Sequence, residues 1–472
     1  MDEKNTVVNQ LKDSLLYKKK NAFEVMSKEE IERSVAFAAE YAEFLDNSKT
    51  EREAVKYTVS YLESKGFMEY RLGDKVVRGG KYYLSNRAKS LFAFRVGTGD
   101  IQNDGIRFCA AHIDSPRLDL KQHPLFEDEG FGYLKTHYYG GLRKYQWPTI
   151  QLALHGVVTR KDGTTVTVNI GEDEGDPVFV ITDLLPHLGR EQGKKPLSSA
   201  FTGEGLNILI GASPASDSDG KPYDCDEKVK LNMMMMLNEK YGITEEDFMS
   251  AELCAVPAGH AVDVGLDRIL MGAYGHDDKV CAYPAIRALC DTDDTAHTVM
   301  CVLADKEETG SDGVSGMKCS LLVDLVRELC TSLGADDAAC RANSMCLSAD
   351  VNAGFDPNYP EVFEKRNAAI VNCGVVMSKY TGSGGKYSTN DASAEYVGRV
   401  RDMFVNDGVL WQTAELGKID EGGGGTVAMY IANHNIETVD LGVPVLSMHA
   451  PFEVISKLDL YQTYKAFCSF CR

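Results

Sequence analysis

Residues 297–310 of the chain read HTVMCVLADKEETG, an apolar run that ends in a pair of carboxylates. The run is short and rich in β-branched and apolar residues, so it predicts a buried strand. Glu307 and Glu308 follow at the point where this strand ends. Ligand sites in open α/β sheets lie outside the carboxyl ends of the strands. The stretch therefore predicts both the type of fold and the place of its chemistry.

The alternation around this strand extends along most of the chain. Upstream lie two helical patterns and then three strand-like runs, at residues 28–48, 50–66, 82–86, 90–97 and 106–114. Downstream, strand-like and helical runs alternate as CSLLVDLVRELCTSLG, SMCLSAD, AIVNCGVVMS, SAEYVGRVRDMFVNDG and IETVDLGVPVLSMH. This pattern predicts an α/β fold, a mixed sheet flanked by helices. Ser48 to Glu51 resembles a capping box at the start of the second helix.

A β-rich stretch interrupts this alternation. WPTIQLALHGVVTRKDGTTVTVNIG, residues 147–171, contains two strand-like runs around a KDG turn. We expect residues 122–249 to form an inserted β-rich oligomerisation domain, and residues 1–121 and 250–472 to form one discontinuous catalytic domain. The four methionines at 233–236 are expected to fill the core side of a helix.

Composition excludes several classes of protein. The 472 residues are 44% hydrophobic and 25% charged, as in a globular protein, and the formal charge is −20. A field of that sign repels nucleic acid and anionic membranes. The first twenty residues contain acids and no apolar run typical of an export signal, and no membrane-spanning run follows. The thirteen scattered cysteines indicate free thiols. We expect a cytoplasmic protein with neither nucleic acid nor membrane as a partner.

Ionisable residues recur where the strand-like runs end or begin. They are His112 and Asp114, Asp277 and Asp278, Glu307 and Glu308, Asp350, and His449. Each motif alone has an ordinary explanation, and the aspartate pair could simply cap a helix. Together, imidazole and carboxylate groups at strand ends suit two Zn²⁺-like ions that share one carboxylate.

The motifs HIDSPRLDLK, YGHDDKVCAYPAIRAL, DKEETGSDGVSG, SADVNAGFDPNYP and LGVPVLSMHAPFE, in this order, resemble the aspartyl aminopeptidase and vacuolar aminopeptidase I family of zinc metallopeptidases, particularly its bacterial branch. The resemblance covers most of the chain and implies a two-metal aminopeptidase fold. It implies that His112 and Asp350 hold one ion, that Glu308 and His449 hold the other, and that Asp277 bridges both. Glu307 is then the general base. The choice of Asp277 over Asp278 as the bridge stays open.

Asp114 stands two residues from His112, so we expect it to orient that imidazole and count it with the catalytic residues.

The substrate pocket departs from the aspartate-preferring pattern. This chain has GVVMS at 374–378, at the position where the aspartate-preferring branch has a sequence resembling GPVIK. The lysine that would pair with an acidic substrate is therefore absent at this position. Lys379, the next residue, is the nearest replacement. Only His187 represents the family's paired histidines, one of which serves a neighbouring subunit. Gly424, in the run DEGGGGT, is a candidate for backbone contact with a ligand. The sequence therefore does not predict a preference for aspartate.

The expected function is removal of N-terminal residues from peptides by a metal-activated water. The two ions are expected to be Zn²⁺, with Co²⁺ or Mn²⁺ as alternatives for this donor set. The resemblance also implies a homo-oligomer, a dodecamer. Two other functions stay open: a two-metal deacylase or amidase acting on another small amide, and a catalytically silent protein that forms a shell or binds cargo.

Overall fold

The computed structural model describes residues 3–292 and 296–472. The helices are α1 Glu3–Leu15, α2 Ala22–Val25, α3 Lys28–Asp46, α4 Glu51–Ser64, α5 Ile101–Asp104, α6 Leu197–Ala200, α7 Lys228–Tyr241, α8 His276–Asp291, α9 Leu321–Leu333, α10 Asp337–Asn343, α11 Ala394–Asn406, α12 Ala428–Ala432 and α13 Lys457–Phe470. The strands are β1 Met68–Glu69, β2 Lys81–Asn86, β3 Ser90–Arg95, β4 Ile106–His112, β5 Arg117–Asp128, β6 Phe131–Tyr139, β7 Leu152–Thr159, β8 Thr165–Ile170, β9 Ile208–Gly211, β10 Ala251–Pro257, β11 Val262–Val264, β12 Leu270–Ala273, β13 Thr298–Ala304, β14 Met345–Ala349, β15 Asn352–Ala353, β16 Val375–Ser378, β17 Trp411–Thr413, β18 Glu437–Gly442, β19 Pro444–Leu446 and β20 Glu453–Ser456.

A nine-stranded mixed sheet forms the centre of the molecule, in the order β1-β2-β3-β13-β4-β14-β18-β16-β17. Its four middle strands, β13, β4, β14 and β18, are parallel to one another, whereas the outer neighbours β3 and β16 are antiparallel to β13 and β18. One face packs on α3, α4, α8, α11 and α13, and the other on α9, α10 and α12. Both faces are therefore covered, as buried parallel strands require. The predicted mixed sheet flanked by helices is confirmed.

A second, five-stranded sheet lies beside the first, in the order β11-β12-β20-β19-β15. Strand β12 leads directly into α8, which is buried along almost its whole length. This helix packs on the nine-stranded sheet through β4 and β13. The five-stranded sheet therefore places the start of α8 near β4 and β13.

The third sheet is antiparallel and has six strands, in the order β8-β7-β10-β5-β6-β9. It has its own core, which includes Trp147 and Phe248. Its strands run from Arg117 to Pro257, so the sheet extends past the expected bounds of 122 and 249 at both ends. The division into domains stays a prediction.

Two local expectations are corrected. The capping box of α4 is formed by Thr50 and Glu53, three residues apart, and not by Ser48 and Glu51. The methionine run does lie in a helix, α7, where Met233 is buried, but Met235 and Met236 are 45% and 58% exposed. The core therefore uses only one side of this helix.

All thirteen cysteines are free. Among the described residues, no helix is both long enough and apolar enough to cross a membrane.

Candidate metal centre

Three of the predicted strand-end motifs lie at one edge of the nine-stranded sheet. His112 is the last residue of β4, and Asp350 directly follows β14. Glu307 and Glu308 follow β13 after a two-residue connection. Because β13, β4 and β14 are adjacent and parallel, their carboxyl ends lie side by side.

The other two candidate ligands, Asp277 and His449, lie on segments connected to the five-stranded sheet. Asp277 stands in the first turn of α8, with backbone angles outside the helical range, and the peptide bond between Asp277 and Asp278 is cis. His449 lies between β19 and β20 at a φ of 64°. The cluster therefore combines elements of two sheets.

These residues form two groups that share Asp277. The first contains His112, Asp277 and Asp350, the second contains Asp277, Glu308 and His449, and in each group the candidate ligand atoms lie within 4.8 Å of one another. Asp277 Oδ1 lies 3.2 Å from His112 Nε2, and Asp277 Oδ2 lies 3.1 Å from His449 Nε2. The two oxygens of one carboxylate thus face different imidazoles.

Backbone carbonyls fix the orientation of both imidazoles. His112 Nδ1 lies 3.0 Å from the carbonyl oxygen of Asp114, and His449 Nδ1 lies 2.9 Å from that of Gly141. With Nδ1–H donating to these oxygens, Nε2 of each ring is left to accept or to bind a cation. Gly141 belongs to the loop after β6, so the antiparallel sheet contributes to the centre.

The carboxylate of Asp114 makes other contacts besides the one expected with His112. Its oxygens accept hydrogen bonds from the backbone amides of Glu307 and Glu308, both at 3.2 Å, and from the Tyr139 hydroxyl at 2.7 Å. Its Oδ1 is 3.4 Å from His112 Nδ1, while the carbonyl of Asp114 takes the closer contact. Asp114 therefore holds the backbone of the glutamate pair as well as contacting the histidine.

Tyr139 and Gly141 were missed by sequence reasoning, although Gly141 belongs to the stretch GGLRKYQWPTI, which also resembles the family. The contact of Gly141 is through its main chain, so no residue type signals it. Tyr139 is one of many tyrosines in the chain, and its residue type alone does not mark it as a site residue.

Asp278 contacts the backbone of His112 and is not itself a candidate ligand. Its Oδ2 accepts a hydrogen bond of 3.3 Å from the backbone amide of His112, and it belongs to neither ligand group of the described residues. The buried Lys279 donates to Ser115 Oγ at 2.7 Å, and Ser115 Oγ donates to the carbonyl oxygen of Asp277 at 2.9 Å. These contacts hold the backbone at Asp277 and Asp278.

The charge balance of the cluster fits cations. Burial raises the pKa of Glu308 and of Asp350 well above the ordinary range, because their negative charge is poorly compensated by protein groups. Burial also opposes the charge of Asp277, but its contacts with the two imidazoles outweigh burial and lower its pKa. Within the described chain, Glu308 Oε1 is buried without a hydrogen-bond donor. Imidazole nitrogens and carboxylate oxygens that converge in this way suit divalent transition-metal ions.

Glu307 differs from its neighbour. It belongs to neither ligand group of the described residues, and it stands in a 3₁₀ turn, Glu307–Thr309. Burial raises the pKa of Glu307 to about 7.

The three candidate substrate contacts lie outside the two ligand groups. His187 is exposed on a loop, and no hydrogen bond or ion pair of the described residues joins it to the cluster. Lys379 pairs with Asp391 at 2.9 Å. The amide of Gly424 donates to the carbonyl of Thr381 at 3.2 Å, so it is already used within the protein. Their roles stay predictions.

Comparison with known proteins identifies the family of the chain. Residues 44–471 match the family described as aminopeptidase I zinc metalloprotease, M18. A probable M18 family aminopeptidase 1 of Clostridium acetobutylicum is 45% identical over 97% of this chain and 99% of its own length. The crystal structure of an M18 family aminopeptidase from Thermotoga maritima superposes with a TM-score of 0.90 at 44% identity, over 96% of this chain and 99% of that one.

A more distant neighbour, a dodecamer from Saccharomyces cerevisiae, shares the fold, with a TM-score of 0.74 at 22% identity over 92% of this chain and 96% of that one. The family match and the full-length relative together lead to one conclusion: the chain belongs to the aminopeptidase I zinc metalloprotease family, M18.

Proposed function

We propose that the protein removes N-terminal residues from peptides and that it uses two divalent cations held by the two groups described above. His112 and Asp350 hold one ion, Glu308 and His449 hold the other, and Asp277 bridges them. The observation that carries this proposal is the position of Asp277, whose two oxygens each face a different imidazole at 3.2 and 3.1 Å. Zn²⁺ is the expected metal, since the family is one of zinc metalloproteases, and Co²⁺ and Mn²⁺ suit the same donors.

When bound, such cations would polarise the scissile carbonyl and lower the pKa of water towards neutrality. Glu307 is the proton carrier in this proposal. It takes a proton from the attacking water and later gives it to the leaving amine. In the protein without bound ions, burial raises the pKa of Glu307 to about 7, and a raised pKa allows a carboxylate to accept a proton and later to donate it. Asp114 keeps Glu307 and Glu308 in their different roles by holding both backbone amides.

The antiparallel sheet has a second role in this proposal, in assembly of a closed homo-oligomer, a dodecamer. Its loop between β8 and β9 exposes Leu184, Leu185 and Leu188 by 53%, 50% and 67%, and clustered apolar side chains of this kind favour contact with another surface. The dodecamer among the structural neighbours supports the same idea. A closed shell would restrict access to short or unfolded peptides.

We also propose that the protein works in the cytoplasm, with peptides as substrates and without nucleic acid or membrane as a partner. The free state of all thirteen cysteines supports a reducing compartment.

Asp277→Asn is expected to lose most of the bound metal, because the neutral amide cannot bridge two cations. The matched control is Asp278→Asn, which retains an oxygen that can accept from the His112 amide and should keep its metal. Metal per subunit is measured by elemental analysis after dialysis. Equal metal content in Asp277→Asn and the wild type would contradict the bridging role, and loss in Asp278→Asn alone would transfer that role to Asp278.

Glu307→Gln is expected to keep its metal and to lower kcat by about 10²–10⁴-fold, the scale of general-base removal. Hydrolysis of amino-acid anilides and short peptides by metal-reconstituted protein measures both the rate and the side-chain preference. Full activity in this variant would exclude Glu307 as the proton carrier.

Tyr139→Phe removes the hydroxyl that donates to Asp114 and leaves the ring. We expect kcat to fall about tenfold at unchanged metal content, because ~1.5 kcal/mol, the lower end of the range for one hydrogen bond to a charged group, corresponds to about that factor in rate. The control is Tyr138→Phe, at the neighbouring tyrosine, which is 42% exposed. Similar rates in the two variants would show that the contact with Asp114 does not matter for turnover.

Light scattering is expected to give the mass of a closed homo-oligomer. Leu188→Asp should shift the mass to smaller species, whereas Leu15→Asp, at a leucine of α1 that is 75% exposed, should not. A wild-type monomer that cleaves peptides at full rate would rule out a need for the shell.

A further inference from the structure

A buried carboxylate outside both ligand groups accepts hydrogen bonds from the backbone of two residues of the centre, Asp277 and His449. Glu453 is 1% exposed. Its Oε1 accepts a hydrogen bond of 2.7 Å from the backbone amide of His449, and its Oε2 accepts one of 3.0 Å from the backbone amide of Asp277. One side chain thus joins two segments that are more than 170 residues apart in the sequence.

Neither amide has a partner in regular secondary structure. Asp277 stands in the first turn of α8, where backbone N–H groups lack an acceptor within the helix. His449 lies in the connection between β19 and β20, at a positive φ. A buried N–H group without an acceptor is costly, so the carboxylate of Glu453 stabilises these two backbone positions together.

The position of Glu453 is itself fixed by a strand pair. Glu453 is the first residue of β20 and lies opposite Ala273, the last residue of β12. From Ala273 the chain reaches Asp277 in four residues, and from His449 it reaches Glu453 in four residues. The β12–β20 ladder therefore sets the separation of the two segments, and the carboxylate closes the remaining gap between them.

We propose that Glu453 is a positioning residue that holds Asp277 and His449 in the relative placement a shared cation site needs. This inference rests on the proposed function, since it takes Asp277 and His449 as metal ligands. It goes beyond it by assigning the alignment of these two ligands to one side chain that touches neither an ion nor substrate.

The chain offers a matched control in Asp459. This carboxylate is fully buried, and its two oxygens accept hydrogen bonds of 2.7 Å from the backbone amides of Asn372 and Gly374. It therefore performs the same structural task as Glu453, but neither of its two partners belongs to a ligand group. A role confined to stability would make the two carboxylates equivalent.

The test compares Glu453→Gln with Asp459→Asn. In each variant one oxygen becomes an amide nitrogen, so one backbone N–H loses its acceptor. Each protein is stripped with a chelator and titrated with Zn²⁺ against a competing dye, and the melting temperature of the stripped protein is measured in parallel. We expect the half-saturating Zn²⁺ concentration of Glu453→Gln to rise by about 10–100-fold, the usual range for residues that orient metal ligands. The half-saturating Zn²⁺ concentration of Asp459→Asn should stay within about twofold of the wild-type value, even if its melting temperature falls as much as that of Glu453→Gln.

Glu453→Asp is the alternative test variant if Glu453→Gln does not fold. It keeps the carboxyl group, but its side chain is one methylene shorter. It should reach only one of the two amides and bind Zn²⁺ more weakly than the wild type. Zn²⁺ binding by the Glu453 variants within twofold of the wild type would overturn the inference, as would equal losses in the Glu453 and Asp459 variants.

Two further samples separate this failure from failure of the proposed function. A wild type that binds no Zn²⁺, or an Asp277→Asn variant that binds it normally, would overturn the ligand assignment and this inference with it. Normal loss in Asp277→Asn beside unchanged binding in Glu453→Gln would overturn only the role of Glu453.

Discussion

The burial of several like charges around one carboxylate is the constraint on which the rest of the structure depends. Asp277 lies between two imidazoles, and Glu308 and Asp350 complete the cluster in surroundings that oppose their ionisation. Such an arrangement needs either protons or cations to balance it. The fold meets the geometric part of that demand by ending three adjacent parallel strands at one edge and by bringing the start of α8 against them.

Main-chain contacts give the centre its rigidity. Asp114 holds the amides of Glu307 and Glu308, and carbonyl oxygens of Asp114 and Gly141 fix the two imidazole rings. Because these contacts involve backbone atoms, the ligand side chains begin from positions that the fold already holds. A site that is already ordered loses little conformational entropy when a ligand binds.

The antiparallel sheet is joined to the rest of the chain by buried charges as well as by the loop after β6. His155, in β7, contacts Glu53 of α4 at 2.8 Å and Glu172 at 3.5 Å. Burial disfavours the charged imidazole, but its contacts with the two glutamates outweigh burial and raise its pKa to about 9. This junction fixes the sheet against the helical layer, so Tyr139 and Gly141 stay in place over the centre.

The sequence by itself determined the type of fold, the family and the candidate ligands of the centre. Local patterns such as HTVMCVLADKEETG indicate both where a strand ends and which residue types follow it. Only the tertiary structure distinguished Asp277 from Asp278, since neighbours in sequence differ here only in the direction of their side chains. It alone showed the contacts of Tyr139, Gly141 and Glu453. Most of these contacts join segments that are separated in the sequence, and most of them involve main-chain atoms, which every residue type carries alike.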